Sequence, residues 1–372
     1  MRIGGHNMEK INIKVIGTVG LPPRYGGWET LVNFLCEELS AEFSIEVFCS
    51  ATKYEVRERE YNGAKLRYIP ISANGISSIF YDLISMILVC RTDSVKLILG
   101  VSGCVFLPIL RVISKGPFVV NIDGLEWRRA KWSFIARHFL KLSEAIAVRF
   151  ADVVVVDNIV LSKYVDDVYR RSSVMISYGG NHCYPLPISD ALRSQYSWID
   201  TNYGFKVARI EPENNIEIIL AAFSRQNLYK MVIVGNWNDS TFGRRLREKY
   251  AHYEMLVLID AVYNQSILDQ MRSNAHFYVH GHSAGGTNPS LVEAMSLGLP
   301  IFAYDVNFNR ATTFESASYF SDADELLTAV MSSSDDDLKL SGRRMFDLAA
   351  KNYDWHIVAK KYRSIFLGLG EC

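Results

Sequence analysis

The chain has 372 residues, which is too long for one ordinary hydrophobic core and indicates two or three domains. Hydrophobic residues make up 49% of it and charged residues 22%, the usual balance of a globular protein. Lysine plus arginine and aspartate plus glutamate both number 40, so the formal charge is zero, which excludes nucleic-acid binding by bulk electrostatic attraction.

The cysteines and the N-terminus indicate the cellular compartment. The six cysteines are scattered, without a CxxC pair or metal-site spacing, and most lie in apolar runs. This favours a reducing cytosol over a disulfide framework. The first ten residues, MRIGGHNMEK, lack the apolar segment of a signal peptide, so we expect a cytoplasmic location.

Short β-branched runs alternate with helical patterns along the chain, which is typical of βαβ units and parallel sheets. In the first half, the predicted strands are Ile11–Ile16, Ser44–Phe48, Lys65–Ile69, Leu97–Leu99, Phe118–Ile122, Asp152–Val156 and Val174–Ile176. In the second half, they are Tyr203–Val207, Lys230–Val234, Met255–Ile259, Ala275–Val279 and Pro300–Ala303. Between the two sets, Gly179–Trp198 shows little periodicity, and we interpret it as the interdomain connection. The last segment, Tyr353–Gly370, predicts a helix with one face formed by Trp355, Val358, Tyr362 and Phe366.

Two stretches of the sequence are apolar enough to be compared with membrane segments. Leu97–Ile113 is interrupted by Gly100, Gly103 and Pro108, which predicts a strand, a loop and a helix instead of a membrane span. Ile76–Val89 predicts an apolar helix that packs on a sheet, and contact with a membrane surface is the alternative.

The first predicted strand runs into a glycine-rich loop, GTVGLPPRYGGWET, and then into a helix. Glycines at such a junction let backbone N–H groups approach an anion, which the helix dipole also favours. Gly26 and Gly27 are therefore candidates for a phosphate cradle, and a tight turn without a ligand is the alternative. A dinucleotide-dependent dehydrogenase is disfavoured, because the loop lacks GxGxxG and the second strand ends in Cys49-Ser50 instead of an acid.

The most specific segment is HGHSAGGTNPSLVEAMSLGLP, which starts at His280. A strand ends there, and a Gly-Gly-Thr-Asn loop leads into a helix with Pro289 near its first turn. Glu293 falls one turn inside this helix, where a carboxylate can face a cleft and bridge two ribose hydroxyls. His280 and His282 lack a third metal ligand that the sequence can place, so we expect hydrogen-bonding roles for them.

The segments GGTNPSLVEAM and LPPRYGGWET resemble retaining GT-B glycosyltransferases of family 4, and within that family the polysaccharide rhamnosyltransferases. The resemblance extends over essentially the whole chain. It implies an α/β fold, GT-B, with two doubly wound Rossmann-like domains and a central cleft. Residues 1–185 would form the N-terminal acceptor domain and residues 186–350 the C-terminal nucleotide-sugar donor domain, while a helix in residues 351–372 would return to the first domain.

The same resemblance implies roles for individual residues of the donor domain. Glu293 would bind the donor ribose, and Arg209 would face the diphosphate. The loop residues that would hold the sugar and the diphosphate are Gly285, Gly286, Thr287 and Asn288. Two positions depart from the family pattern, since Asn214 stands where members usually have a lysine and Gly285 where many have a glutamate. The departures would suit a 6-deoxysugar, whose hydroxyl pattern differs.

Acidic residues at strand ends of the first domain are the candidates for the acceptor side and for catalysis. Asp123 and Glu126 follow a buried strand in NIDGLEWRR, at the edge where open α/β sheets bind ligands. Asp157 ends the strand VVVV, and helix capping is an equal alternative for it. Asp322 and Asp324 formally match a DxD metal motif, but the helical pattern after them favours a helix N-terminus.

The implied reaction is hexosyl transfer with retention, in which charge builds on the leaving diphosphate. Cationic side chains and backbone amides would offset that charge, so no metal or other cofactor is expected. The expected donor is dTDP-L-rhamnose, and the expected acceptor is a lipid-diphosphate-linked saccharide at the cytoplasmic membrane surface, in O-antigen or capsule assembly. Alternatives are a UDP- or GDP-sugar donor, a GT-B-type nucleotide-sugar epimerase, and a non-catalytic sugar-nucleotide sensor.

Overall fold

The computed structural model describes residues 10–24, 26–122, 124–129 and 132–370, which form two β-sheets covered by helices. The first sheet contains β1 (Asn12–Ile16), β2 (Ser44–Ser50), β3 (Glu60–Tyr61), β4 (Ala64–Ile69), β5 (Val95–Leu99), β6 (Phe118–Asn121), β7 (Val153–Val156) and β8 (Val174–Met175). These strands lie in the order β3-β4-β2-β1-β5-β6-β7-β8, and only the β3–β4 pair is antiparallel.

Helices cover both faces of the first sheet. One face is covered by α1 (Gly27–Leu39) and by the C-terminal helix. The other face is covered by α2 (Ser77–Val89), α3 (Leu107–Ile113), α4 (Phe134–Phe150) and α5 (Ile159–Tyr169). Because both faces are covered, a central strand such as VKLIL in β5 is buried along its whole length.

The second sheet is parallel throughout. Its strands are β9 (Tyr203–Val207), β10 (Lys230–Gly235), β11 (Leu256–Asp260), β12 (Phe277–His280), β13 (Ile301–Tyr304) and β14 (Ser318–Phe320), in the order β11-β10-β9-β12-β13-β14. Its helices are α6 (Asp190–Gln195), α7 (Ile216–Phe223), α8 (Thr241–Tyr250), α9 (Gln265–Ser273), α10 (Pro289–Ser296), α11 (Asn307–Thr312), α12 (Ala323–Ser332) and α13 (Asp335–Asn352). The prediction of two doubly wound α/β domains is confirmed, and their boundary at residues 185 and 186 stays a prediction.

The sequence located every predicted strand to within two residues of its observed ends. It missed β3 and β14, which have two and three residues, because so short a run shows neither alternation nor a sustained apolar pattern. The helix predicted over residues 76–89 begins at Ser77 and packs on the sheet through Tyr81, Met86 and Val89, as expected. In the part of the chain that the structure describes, no helix combines the length and the apolar character needed to cross a membrane.

The last helix, α14 (Trp355–Gly370), packs against the first domain although it follows the second in sequence. The four residues of its predicted face are all buried there. The chain therefore passes between the domains twice, near residue 180 and again near residue 354. This topology brings the loops of both sheets to one place.

Candidate active site

The loops at the carboxyl ends of the two sheets meet each other. Gly285 and Gly286 follow β12, while Gly124 follows β6 and Asp157 follows β7. A Cβ atom built on Gly124 would lie 2.7 Å from the Cα atom of Gly285, and one built on Gly286 would overlap the carboxylate of Asp157. Since open α/β sheets bind ligands at this edge, predicted residues from both domains border one cleft.

Thr287 and Asn288 are held by hydrogen bonds of their own. The hydroxyl of Thr287 donates to the backbone carbonyl of Asp157 at 2.7 Å and accepts from the amide of Asn158 at 3.3 Å, so it links the domains. The side chain of Asn288 caps α10 and accepts from the backbone N–H of Ser290 at 3.0 Å. Both residues shape the loop, and the two glycines before them form its open part.

The glycine turn before α1 faces the first turn of α10. A Cβ atom on Gly27 would lie 3.2 Å from Cγ of Pro289. Gly26 leaves room for the carboxylate of Glu29. This carboxylate accepts hydrogen bonds at 2.8 Å from the hydroxyl of Thr18 and from the backbone N–H of Val19. Two helix N-termini thus converge on the cleft, an arrangement that attracts anions.

The acidic residues of the first domain lie in different settings. Asp157 does not cap the next helix, because the side chain of Asn158 does so; the capping alternative for Asp157 is therefore wrong. Glu126 is ion-paired with Arg129 at 3.0 Å. Asp123, the residue predicted to bind the acceptor, lies outside the described residues.

Glu293 lies at the side of α10 that faces the interdomain connection. One carboxylate oxygen is paired with the fully buried Arg272, and the other lies 3.3 Å from Nε2 of His182. Burial alone would raise the pKa of Glu293, but Arg272 and then His182 outweigh it, and the pKa falls from 4.5 to about 2. The side chain keeps 16% of its surface exposed, so an ionised acceptor remains accessible to a ligand.

Arg209 follows β9, and its side chain is 42% exposed. The amide of Asn214 donates to the backbone carbonyl of Arg209 at 2.8 Å, and its oxygen accepts from Nδ1 of His282 at 2.9 Å. Burial, followed by the charges of Arg129, Lys206 and Arg209, lowers the pKa of His282 to about 3, so its ring is neutral. Asn214, which stands where the family that the sequence resembles has a lysine, thus has a structural role.

Family comparisons agree with this geometry. Residues 190–322 match the family "Glycosyl transferases group 1", and residues 10–181 match "Domain of unknown function (DUF1972)". Sucrose-phosphate synthase from Thermosynechococcus elongatus superposes with a TM-score of 0.82 at 17% identity, over 96% of this chain and 100% of that one. The chain has the GT-B fold, and its second domain matches a glycosyltransferase family model over residues 190–322.

Two further solved structures share this fold. HepE from Anabaena in complex with UDP-glucose has a TM-score of 0.76 at 14% identity, over 96% of this chain and 100% of that one. The α,α-trehalose 6-phosphate synthase from Burkholderia multivorans has a TM-score of 0.74 at 11% identity, over 97% of both chains. A search of curated proteins finds no match to the sequence.

Sequence reasoning missed His182 and Arg272. Together with Cys183, they surround Glu293, and the ligand atoms of His182, Cys183 and Glu293 lie within 4.8 Å of one another, as in a metal site. However, Nη2 of Arg272 lies 3.0 Å from the Cys183 sulfur, and its guanidinium also pairs with Glu293. The charge that a metal would supply is therefore already provided by an arginine.

The remaining predictions concern two histidines and the DxD string. His282 has the expected hydrogen bond, whereas both ring nitrogens of His280 are buried without a partner among the described residues. Asp322 caps α12 by accepting from the backbone N–H groups of Asp324 and Glu325, so this string is a helix N-terminus, as predicted.

Proposed function

We propose that this protein is a glycosyltransferase that moves L-rhamnose from dTDP-L-rhamnose, with retention, onto a lipid-diphosphate-linked saccharide in O-antigen or capsule biosynthesis. The observation that carries the proposal is the contact between the Gly285-Gly286 loop of the second domain and Asp157 of the first. Sugar-binding and acceptor-binding elements would meet there. The finer assignments, family 4 and rhamnose, rest on the resemblance of the two sequence segments.

The proposed donor site offers positive charge to the diphosphate without a metal. The N-termini of α1 and α10 converge, and Arg209 stands at the end of β9 with its guanidinium partly exposed. Oriented amides and a cation stabilise the charge that develops on a leaving phosphate. Glu293 would accept a hydrogen bond from the nucleoside sugar, which in dTDP is a deoxyribose with one free hydroxyl, at C3′. HepE, the neighbour in complex with UDP-glucose, supports a nucleotide-sugar donor.

The sugar site has more space than the family pattern predicts. Around a Cβ atom built on Gly285, the nearest atoms outside its chain neighbours, on Gly124 and His282, are 3.9 Å away. A glutamate here would contact the transferred sugar in many family members, so its loss removes an acceptor for sugar hydroxyls. A 6-deoxysugar has one hydroxyl fewer to satisfy, which favours rhamnose.

In the proposed reaction, the bond between the anomeric carbon and the diphosphate oxygen breaks, and its electron pair passes to the phosphate. The acceptor hydroxyl then attacks the oxocarbenium-like centre from the same face, and its proton passes to the leaving phosphate. The Asp157 carboxylate lies beside Gly286, where it stabilises positive charge on the sugar. No covalent protein intermediate forms, so a glycosyl adduct trapped on Asp123 or Asp157 would contradict this mechanism.

An exposed apolar surface on the first domain supports a membrane-bound acceptor. The apolar patch consists of exposed residues on or next to α2, α3 and α4, which all pack on one face of the sheet: Ile76, Phe80, Ile87, Ile109, Val112, Ile113, Phe134, Ile135 and Leu142. Val112 is 84% exposed and Ile135 81%, so neither side chain is buried in the core of its domain. Such a surface favours insertion into a lipid interface.

The charges around the apolar patch fit an anionic membrane. The acidic residues of α2 and α4, Asp82 and Glu144, are both buried, and α3 has none. Exposed basic side chains on α4 include Lys141 and Arg149. Anionic lipids attract such a surface. Because α4 follows the loop that borders the cleft, a docked enzyme would receive a lipid-linked saccharide at its active site.

Product analysis tests the donor assignment. The protein is incubated with dTDP-L-rhamnose, UDP-sugars and GDP-sugars, with and without lipid-linked acceptors, and products are identified by mass and by the anomeric coupling in NMR. We expect transfer only from dTDP-L-rhamnose, with retention, and loss of transfer in Arg209→Met. Arg193→Met, which changes an exposed arginine of the same domain, is the control.

The competing functions give different outcomes. Consumption of a UDP- or GDP-sugar with transfer contradicts the rhamnose assignment alone. Release of an epimer without acceptor indicates the nucleotide-sugar epimerase, and binding without turnover of any donor indicates a sensor.

Vesicle binding tests the membrane proposal. Replacing both Ile109 and Val112 with serine should lower binding to phosphatidylglycerol vesicles by about tenfold or more, because two apolar side chains no longer insert. The matched control replaces Leu340 and Phe346, exposed apolar residues of the second domain, and should leave binding unchanged. Equal loss in both variants would contradict the assignment of the apolar patch.

A further inference from the structure

The two segments that connect the domains are hydrogen-bonded to each other next to Glu293. The backbone N–H of Gly180 donates to the carbonyl of Tyr353 at 2.8 Å. The side chain of Asn181 accepts from the backbone N–H of Trp355 at 2.9 Å and donates to Asp354 at 2.9 Å. The residue that follows in the chain, His182, is therefore held in a fixed frame.

The hydrogen bonds of His182 define its tautomer. The indole N–H of Trp355 donates to Nδ1 of His182 at 3.0 Å. An indole nitrogen has no acceptor capacity, so Nδ1 must be unprotonated and the neutral ring carries its hydrogen on Nε2. Nε2 is the atom that lies 3.3 Å from Oε1 of Glu293. The imidazole thus presents a hydrogen to the carboxylate.

Aromatic packing fixes the plane of the ring. Phe34 of α1 stacks on Trp355 with ring centroids 4.5 Å apart and contacts His182 with centroids 5.3 Å apart. Only 14% of the His182 side chain is exposed. The ring can therefore turn little without displacing an aromatic neighbour.

We propose that His182 is a positioning residue for the donor ribose, a role that rests on the assignment of Glu293 as the ribose ligand. Arg272 holds one carboxylate oxygen of Glu293, and His182 holds the other. With both oxygens fixed, the rotation of the carboxylate is set, and its remaining lone pairs keep one direction toward the cleft. Trp355 acts through His182, so the C-terminal helix contributes to nucleotide affinity without touching the nucleotide.

Binding measurements with ribose-containing and ribose-free ligands test this role. Calorimetry gives the dissociation constants of dTDP, UDP, GDP and inorganic pyrophosphate. His182→Phe keeps a ring and removes both nitrogens, and it should weaken the nucleoside diphosphate that binds best by about tenfold, the loss expected for one hydrogen bond to a charged group. Pyrophosphate binding should be unchanged, because that ligand has no ribose or deoxyribose.

Two further variants separate positioning from a general structural effect. His182→Gln, which keeps an N–H donor, should recover most of the affinity. Trp355→Phe keeps the stack on Phe34, and the double variant with His182→Phe should bind no more weakly than His182→Phe alone. His356→Phe, on an exposed histidine of the same helix, is the matched control. Additive losses, or equal losses for pyrophosphate, would overturn the proposal.

Nitrogen NMR of the ligand-free protein supplies a readout that does not depend on turnover. Wild-type His182 should show a protonated Nε2 and an unprotonated Nδ1, and Trp355→Phe should give a mixture of tautomers. If wild-type protein binds no nucleotide, the proposed function fails and the positioning role with it. If it binds nucleotide and His182→Phe binds equally well, only the positioning role fails.

Discussion

Replacing Arg272 with methionine should cause a large loss of stability. Its side chain is fully buried and pairs with two carboxylates, Glu293 and Asp269. Methionine fills similar space but leaves both acids buried without their cation. Removing one partner of a buried ion pair typically costs about 3–5 kcal/mol, since the desolvation of the remaining charge is no longer offset.

The pKa of Glu293 gives an independent magnitude. Its fall from 4.5 to about 2, at roughly 1.36 kcal/mol per pKa unit, corresponds to about 3 kcal/mol of folding free energy at neutral pH. Because the folded pKa is depressed, this stability is present above pH 4.5 and is lost as the pH falls through about 2. The loss expected for breaking a buried ion pair and the free energy obtained from the pKa of Glu293 are therefore of similar size.

Denaturant unfolding of the wild type and Arg272→Met between pH 7 and pH 3 tests the argument. We expect the variant to be less stable by about 3 kcal/mol at pH 7, and the difference to shrink on acidification as the carboxyls take up protons. Arg193→Met removes an exposed ion pair and should cost below about 0.5 kcal/mol. A stability difference that stays constant with pH would refute the electrostatic reasoning.

Three further predictions concern the cleft and the second sheet. Gly286→Ala places a methyl group against the Asp157 carboxylate and should lower kcat about 100-fold, whereas Gly368→Ala, with open space around its Cβ position, should not. Asp157→Asn should lower kcat and leave the dissociation constant of dTDP unchanged, because the charge acts on the sugar; equal loss of both would contradict its role. Burial lowers the pKa of Lys206 to about 7, so wild-type stability should rise between pH 7 and 10; urea unfolding of Lys206→Met should show higher stability at pH 7 and no such rise.

Much of the fold could be predicted because its signals are local. Strands buried on both faces read as apolar runs, and helices between them show one apolar face. The loop after β12 was located from glycines at a strand–helix junction, and the structure brings it against the first domain. Its partner Asp157 was also predicted from its position at a strand end.

The neighbours of Glu293 could not be predicted, because their roles depend on contacts between distant parts of the chain. Asp269 and Arg272 are three residues apart on α9, a spacing that in sequence indicates an exposed helix pair. Only the fold shows that both are buried and that Arg272 pairs with Glu293 of α10. His182 lies in a connection with no periodicity, and its partner Trp355 comes 173 residues later.

The two departures from the family pattern have different physical meanings. At residue 214, the asparagine side chain is buried and bonded to the backbone of Arg209 and to His282. A lysine there would add a like charge to a region where three cations already depress the pKa of His282. At Gly285, by contrast, the missing side chain leaves an open space that no other side chain of the described residues fills. The donor sugar should therefore be selected at Gly285, while Asn214 keeps the loop that carries Arg209 in place.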